Sequence, residues 1–166
     1  MSQYDKSLAS ATEGKKTYLD FAEKDYADIL ICYNAGAKGN MTCVMSQKTC
    51  ERYLKHVIEM STDEPPIHVM RSKDLCILRK FIEQNDLGLE ADWGRVLKAN
   101  GYYFTTAYPG DDSFMATEKD ADDCVDALKY TREVVLKFVE QYAGISEDIT
   151  ESDDVAKALA DLADNI

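Results

Sequence analysis

The sequence predicts an all-α protein, an antiparallel up-and-down bundle of about five helices with a short helix near the C-terminus. Two observations carry this. Apolar residues recur at three- and four-residue steps through three long segments, and no segment alternates with the period-two pattern of a strand. Most of the eight glycines, and the three prolines, fall near the ends of those segments, as they do where helices are joined by short turns. At 166 residues the chain suits one domain with a sizeable core.

Residues 1–16 are polar, rich in Ser and Thr and contain Gly14, which predicts a mobile arm. From Thr17 the pattern turns helical. Leu19, Ala22, Tyr26, Ile29, Leu30 and Tyr33 share one face, and Gly36 and Gly39 end the element. Asn40 is the expected N-cap of a second helix running to about Met60, where Ser61-Thr-Asp-Glu-Pro-Pro66 stops it. On that helix Cys43, Gln47, Cys50, Leu54, Val57 and Ile58 form a stripe that is apolar except for the Gln47 amide. Lys48, Arg52 and Lys55 form a flanking basic row, expected to stay hydrated, with Glu51 four residues before Lys55.

A shorter helix is expected from Lys73 or Asp74, with Leu75, Leu78, Phe81 and Ile82 inward, ending at Asp86-Leu-Gly88. Trp93 to Phe104 reads as an aromatic-rich fourth helix broken near Gly101, followed by the turn chemistry of Tyr108-Pro-Gly-Asp-Asp-Ser113. Thr117 and Asp120 start the last long helix in the manner of a capping box, with Asp where Glu or Gln is usual. Its apolar face runs from Ala121 to Tyr142, and Gly144 is the expected stop. Three units result: the arm at 1–16, the bundle at 17–144 and an acidic tail at 145–166 in which Val155, Leu159 and Leu162 could form the short helix.

Net charge is −12, unevenly spread. Residues 1–80 carry 12 Lys/Arg against 11 Asp/Glu, and residues 81–166 carry 7 against 20. General nucleic-acid binding, which needs clustered cations, is disfavoured, and any anion site belongs to the first half. Cys32, Cys43, Cys50, Cys76 and Cys124 are odd in number and lack C-x-x-C spacing, so they read as reduced core residues. His56 and His68 have no ligand-spaced partner, and the Asp111-Asp112, Asp122-Asp123 and Asp153-Asp154 pairs diverge on a helix or lie in turns. No metal and no cofactor are expected. Nor is there an apolar leader or a membrane-length run, which predicts a cytoplasmic address and no membrane partner.

Four motifs, in order, carry a family resemblance. They are Gln47-Lys-Thr-Cys-Glu51-Arg52-Tyr53-Leu54-Lys55, Ser72-Lys73-Asp74-Leu75, Ala107-Tyr108-Pro109-Gly110 and Thr117-Glu-Lys-Asp-Ala121. Over residues 17–143 the chain resembles the HEPN family, the higher eukaryotes and prokaryotes nucleotide-binding domain. The resemblance implies a helical bundle that commonly forms a homodimer and often accompanies a small nucleotidyltransferase in toxin–antitoxin or defence systems. Catalytic members are metal-independent ribonucleases that use an Arg and a His on a longer variable spacer. Here only three residues separate Arg52 from His56, Ala107 stands where the family has Arg, and Lys73 where it has His. Proton transfer from a 2′-hydroxyl and stabilisation of a phosphorane need both groups. The expectation is therefore a non-catalytic domain that binds a nucleotide, RNA or a partner protein through Gln47, Glu51, Lys55, Lys73 and Tyr108. Two alternatives stand beside it: an endoribonuclease toxin using Arg52 and His56, and a dimeric helical scaffold whose acidic tail docks on a second chain.

Overall fold

The computed structural model describes residues 15–106 and 108–163, with side chains as far as 144. Among the described residues there is no strand, and the elements form an all-α bundle. Helix α1 spans Tyr18–Asn34 and starts at a reciprocal cap, in which the Thr17 amide donates to Asp20 Oδ2 (2.7 Å) and the Asp20 amide to Thr17 Oγ1 (3.2 Å). Gly36, at a φ of +98°, turns the chain, and α2 spans Asn40–Ser61. Gly39 occupies the cap position of α2 without a side-chain bond. The Asn40 side chain reaches elsewhere: it donates to the Thr106 carbonyl (3.1 Å) and accepts from the Ala116 amide (2.6 Å), clamping two distant segments instead of capping its own helix.

After the Pro65-Pro66 stop comes a single turn, α3 (Ile67–Met70), which the periodicity did not announce. Helix α4 spans Leu75–Gln84, with Asp74 Oδ1 accepting from the Cys76 amide at 2.8 Å. The expected fourth helix is three pieces: α5 (Trp93–Val96), a 3-10 turn (Leu97–Ala99) and α6 (Tyr102–Thr105), divided where Gly101 adopts a φ of +94°. Helix α7 spans Glu118–Ala163 and begins at the expected Thr117–Asp120 cap. It runs through Gly144 without interruption, so the expected short C-terminal helix is a continuation of α7 and not a separate element. A mid-helix glycine costs only about 1 kcal/mol relative to alanine, too little to end a helix by itself. Residues 1–14 of the expected arm lie outside the described residues.

The core is organised around α2. Helix α1 and helix α7 pack against it, while α4 and α6 approach along its length. Cys43, Cys50, Leu54, Val57 and Ile58 on the expected stripe expose no surface. Ser46, Thr49, Tyr53, Lys55 and His56, which lie on other faces of the same helix, are buried as well. One ionic group joins the three long helices: Arg132 of α7 grips Glu23 of α1 with two bonds of 2.9 Å, and the fully buried Tyr53 of α2 donates its hydroxyl to the same carboxylate at 2.6 Å. Of the cysteines expected in the core, Cys43, Cys50 and Cys124 are buried, whereas Cys32 and Cys76 are exposed. Their positions at the edge of an amphipathic stripe place them beyond its buried part.

Candidate functional site

Gln47 is the anchor of the candidate site. It is 3 % exposed, and its amide is engaged at both ends. Nε2 donates to the Lys73 carbonyl (2.9 Å) and to Asn100 Oδ1 (3.3 Å), and Oε1 accepts from the Tyr103 amide (2.9 Å). Asn100 extends the node by accepting from the Leu75 amide (3.0 Å) and donating to Asp74 Oδ1 (2.9 Å). The middle of α2, the entry to α4 and the start of α6 are thus held in one register by side-chain amides. A buried amide with every bond made rigidifies its neighbours, because each bond is strong where water is excluded.

Lys73 is exposed above this node. Its Nζ donates to the Tyr103 hydroxyl and stands 3.9 Å from the centre of the Tyr103 ring. The Tyr103 hydroxyl holds the ammonium above the ordinary lysine range, against partial desolvation, and the fields of Glu51 and Tyr108 add to the effect. Glu51 and Tyr108 thus both act on the charge of Lys73. Phe104, packed edge-to-face on Tyr103 at 5.1 Å, is 67 % exposed, and Tyr108 is 64 % exposed. Tyr108 also borders a hollow of about 400 Å³ shared with Asn40, Thr106, Ser113, Phe114 and Met115. Ala107 lies outside the described residues.

Lys55 occupies a different environment. Its side chain is 5 % exposed and pairs with Glu51 on the preceding turn of α2, so Lys55 is not the hydrated member of a basic row expected of it, whereas Lys48 is partly exposed. Arg52 pairs with Asp25 of α1 and lies over the Phe21 ring at 5.5 Å. His56 is 8 % exposed with no partner for Nδ1, and burial pushes its pKa down despite the opposing charges of Glu59 and Asp20. The physical reason is the same for all three. A helix enclosed by α1 as well as α7 has no broad wet face on which a basic row could lie.

Asn100 and Tyr103 belong to the site but were not singled out from the sequence. Asn100-Gly101 is visible as a turn dipeptide, and Tyr103 as one of three consecutive aromatics. Nothing local reveals that one receives Gln47 and the other Lys73. Among the described residues no group of three or more His, Cys, Asp or Glu side chains is placed to hold a metal ion. No described helix is long and apolar enough to cross a membrane.

The arrangement presents the Lys73 ammonium and two exposed rings, Phe104 and Tyr108, on a framework held by buried amides. Such a surface can receive a planar anionic ligand, with the ring faces available for stacking. No curated protein and no solved structure is significantly similar to the chain. The family model of the HEPN domain matches residues 16–142, a span that takes in the cap of α1, the Gln47 node and α7 as far as Tyr142. The chain belongs to the HEPN domain family.

Proposed function

We propose that this protein is a non-catalytic HEPN domain that binds a nucleotide at Lys73, Tyr103 and Tyr108. One observation carries the reading: the exposed Lys73 ammonium stands over the Tyr103 ring, on which the exposed Phe104 packs, and the exposed Tyr108 borders a hollow within the size range of small-ligand sites. The base would stack on Tyr108 or Phe104 and the phosphate would meet Lys73. Gln47 acts as a positioning residue that fixes Lys73 and Tyr103. Glu51 tunes the field at Lys73, and Lys55 holds Glu51 in place. A mononucleotide is favoured over long RNA because the chain has a net charge of −12 and already pairs Lys55 and Arg52 with carboxylates, where a polyanion needs several free cations.

The burial of His56 and the pairing of Arg52 with Asp25 support the non-catalytic reading, since a general base must reach the proton that it takes. Homodimerisation, and association with a small nucleotidyltransferase in a toxin–antitoxin or defence pair, are parts of the same proposal. The direct test is calorimetric titration of the full chain with ATP and with AMP. Lys73→Glu and Tyr108→Ala weaken binding at least about tenfold with an unchanged circular dichroism spectrum. Unchanged affinity in both variants refutes the site. Cleavage of a labelled RNA that disappears in His56→Ala refutes the non-catalytic assignment.

A further inference from the structure

A second hollow, of about 510 Å³, lies between α7 and the segment leading from α4 to α5, and it shares no residue with the proposed nucleotide site. Its lining from α7 falls into two rows at four-residue steps: Tyr130, Val134 and Phe138 form one, and Glu133, Lys137 and Gln141 the other. Leu89 and Glu90 belong to the other wall. Leu89 and Phe138 are each 7 % exposed, and Tyr130 and Val134 are partly exposed, so these four make an apolar floor. Glu90, Glu133, Lys137 and Gln141 are exposed and make a polar rim. Two contacts hold the walls in register. The Asp92 amide donates to the Tyr130 hydroxyl at 2.7 Å, and the Arg95 guanidinium, bonded twice to Asp126, lies over the Tyr130 ring at 4.5 Å.

The rim carries charges of both signs that are not spent on each other. Glu133 and Lys137 stand one turn apart in the order that favours pairing, as Glu51 and Lys55 do on α2. Yet none of Glu90, Glu133 and Lys137 has an ionic partner among the described residues. We propose that this hollow binds a free amino acid with a large apolar side chain. One carbon joins the ammonium of such a molecule to its carboxylate, so it can bond at once to two opposite charges whose Cβ atoms are about 5–6 Å apart. The ammonium donates to Glu133 and Glu90, and the carboxylate accepts from Lys137, with the Gln141 amide a turn beyond as a second donor. The side chain lies on Leu89, Val134 and Phe138, where it leaves water. A simple anion would meet two carboxylates against one ammonium, and a simple cation would be repelled by Lys137. Only a zwitterion answers both signs of the rim.

The test is calorimetric titration of the full chain with L-phenylalanine, with backbone amide shifts recorded alongside. Saturable binding at one site is expected, moving the amides of Leu89, Glu90 and Lys137 and leaving those of Lys73 and Tyr108 in place. A ligand series decides the chemistry without any change to the protein. Phenethylamine lacks the carboxylate, hydrocinnamate lacks the ammonium, and phenylalaninamide has its carboxylate capped; each binds at least about tenfold more weakly. Glycine, which keeps both charges but offers the floor nothing, also binds at least about tenfold more weakly. Glu133→Gln and Lys137→Gln, both at exposed positions, each weaken phenylalanine binding about tenfold with an unchanged urea midpoint. No saturable binding up to about 10 mM phenylalanine overturns the proposal. So does phenethylamine or phenylalaninamide binding as tightly as the amino acid, which would assign the hollow to an amine or a peptide N-terminus, and so do amide shifts centred on Lys73 and Tyr108.

Discussion

Replacing Gln47 with leucine separates framework from ligand chemistry. The side chains are close in volume, so no cavity opens, and the change removes only polar contacts. Two bonds of 2.9 Å disappear, leaving the Lys73 carbonyl and the Tyr103 amide without partners in a half-buried setting. The third, at 3.3 Å, matters less, because Asn100 Oδ1 still accepts from the Leu75 amide. A buried group left unsatisfied costs about 1–3 kcal/mol. Two such groups, offset in part by the apolar gain of leucine, give a net loss of about 2–3 kcal/mol. That is a large share of a typical domain stability of about 5–15 kcal/mol. Urea unfolding followed by the fluorescence of Trp93, the single tryptophan, measures the loss. Amide exchange at Tyr103 locates it, since that N–H loses its only side-chain acceptor. An unchanged midpoint together with unchanged protection at Tyr103 would falsify the node as a structural clamp.

Other outcomes follow from the same contacts. Glu23→Ala should cost about 1–3 kcal/mol, because it orphans the buried Tyr53 hydroxyl, whereas Arg132→Ala should cost less than about 1 kcal/mol, its ion pair being about one-third exposed and screened. Burial opposes it, but bonds from Arg132 and Tyr53 hold the Glu23 carboxyl below the usual range. Its contribution is present above the unfolded value of about 4.3 and is lost as pH falls through the lower folded value, and a urea midpoint recorded against pH in wild type and Glu23→Gln checks the sign. His56 gives a second pH dependence. With its pKa lowered by burial, its neutral form stabilises the fold above the unfolded value of about 6.5, and stability declines as pH drops below that. Substitution by Asn should flatten the midpoint between about pH 7 and about pH 5, and an equally steep slope in the variant would assign the effect to other groups. Lys55→Met should leave nucleotide affinity within about threefold, because Lys55 faces Glu51 and not solvent. A loss as large as that of Lys73→Glu would place Lys55 in the binding surface.

Legibility from sequence divided along a physical line. Local signals were readable. Thr17 and Thr117 announced the starts of two long helices, the Pro65-Pro66 pair ended α2, and the stripe from Cys43 to Ile58 packed as its spacing required. Contacts that depend on a partner far along the chain were not. Asn40 looks like an N-cap in any window of ten residues, and only the arrival of Thr106 and Ala116 makes it a clamp. Lys55 looks hydrated until the packed bundle buries it against Glu51. The motifs located Gln47, Lys73 and Tyr108 but not Asn100 or Tyr103, whose roles come from the tertiary path of the segment between α4 and α7. Gly144 misled for the opposite reason: a local stop signal was outweighed by the helix on either side of it.

The enclosure of α2 has a consequence for reading kinship in this family. The longest shared motif occupies the stretch of chain least accessible to any visitor. It therefore records how the domain is assembled, and two proteins could keep it unaltered while greeting different guests. Divergence in what they recognise should show first in the exposed rings and the ammonium that the enclosed rod holds up to solvent.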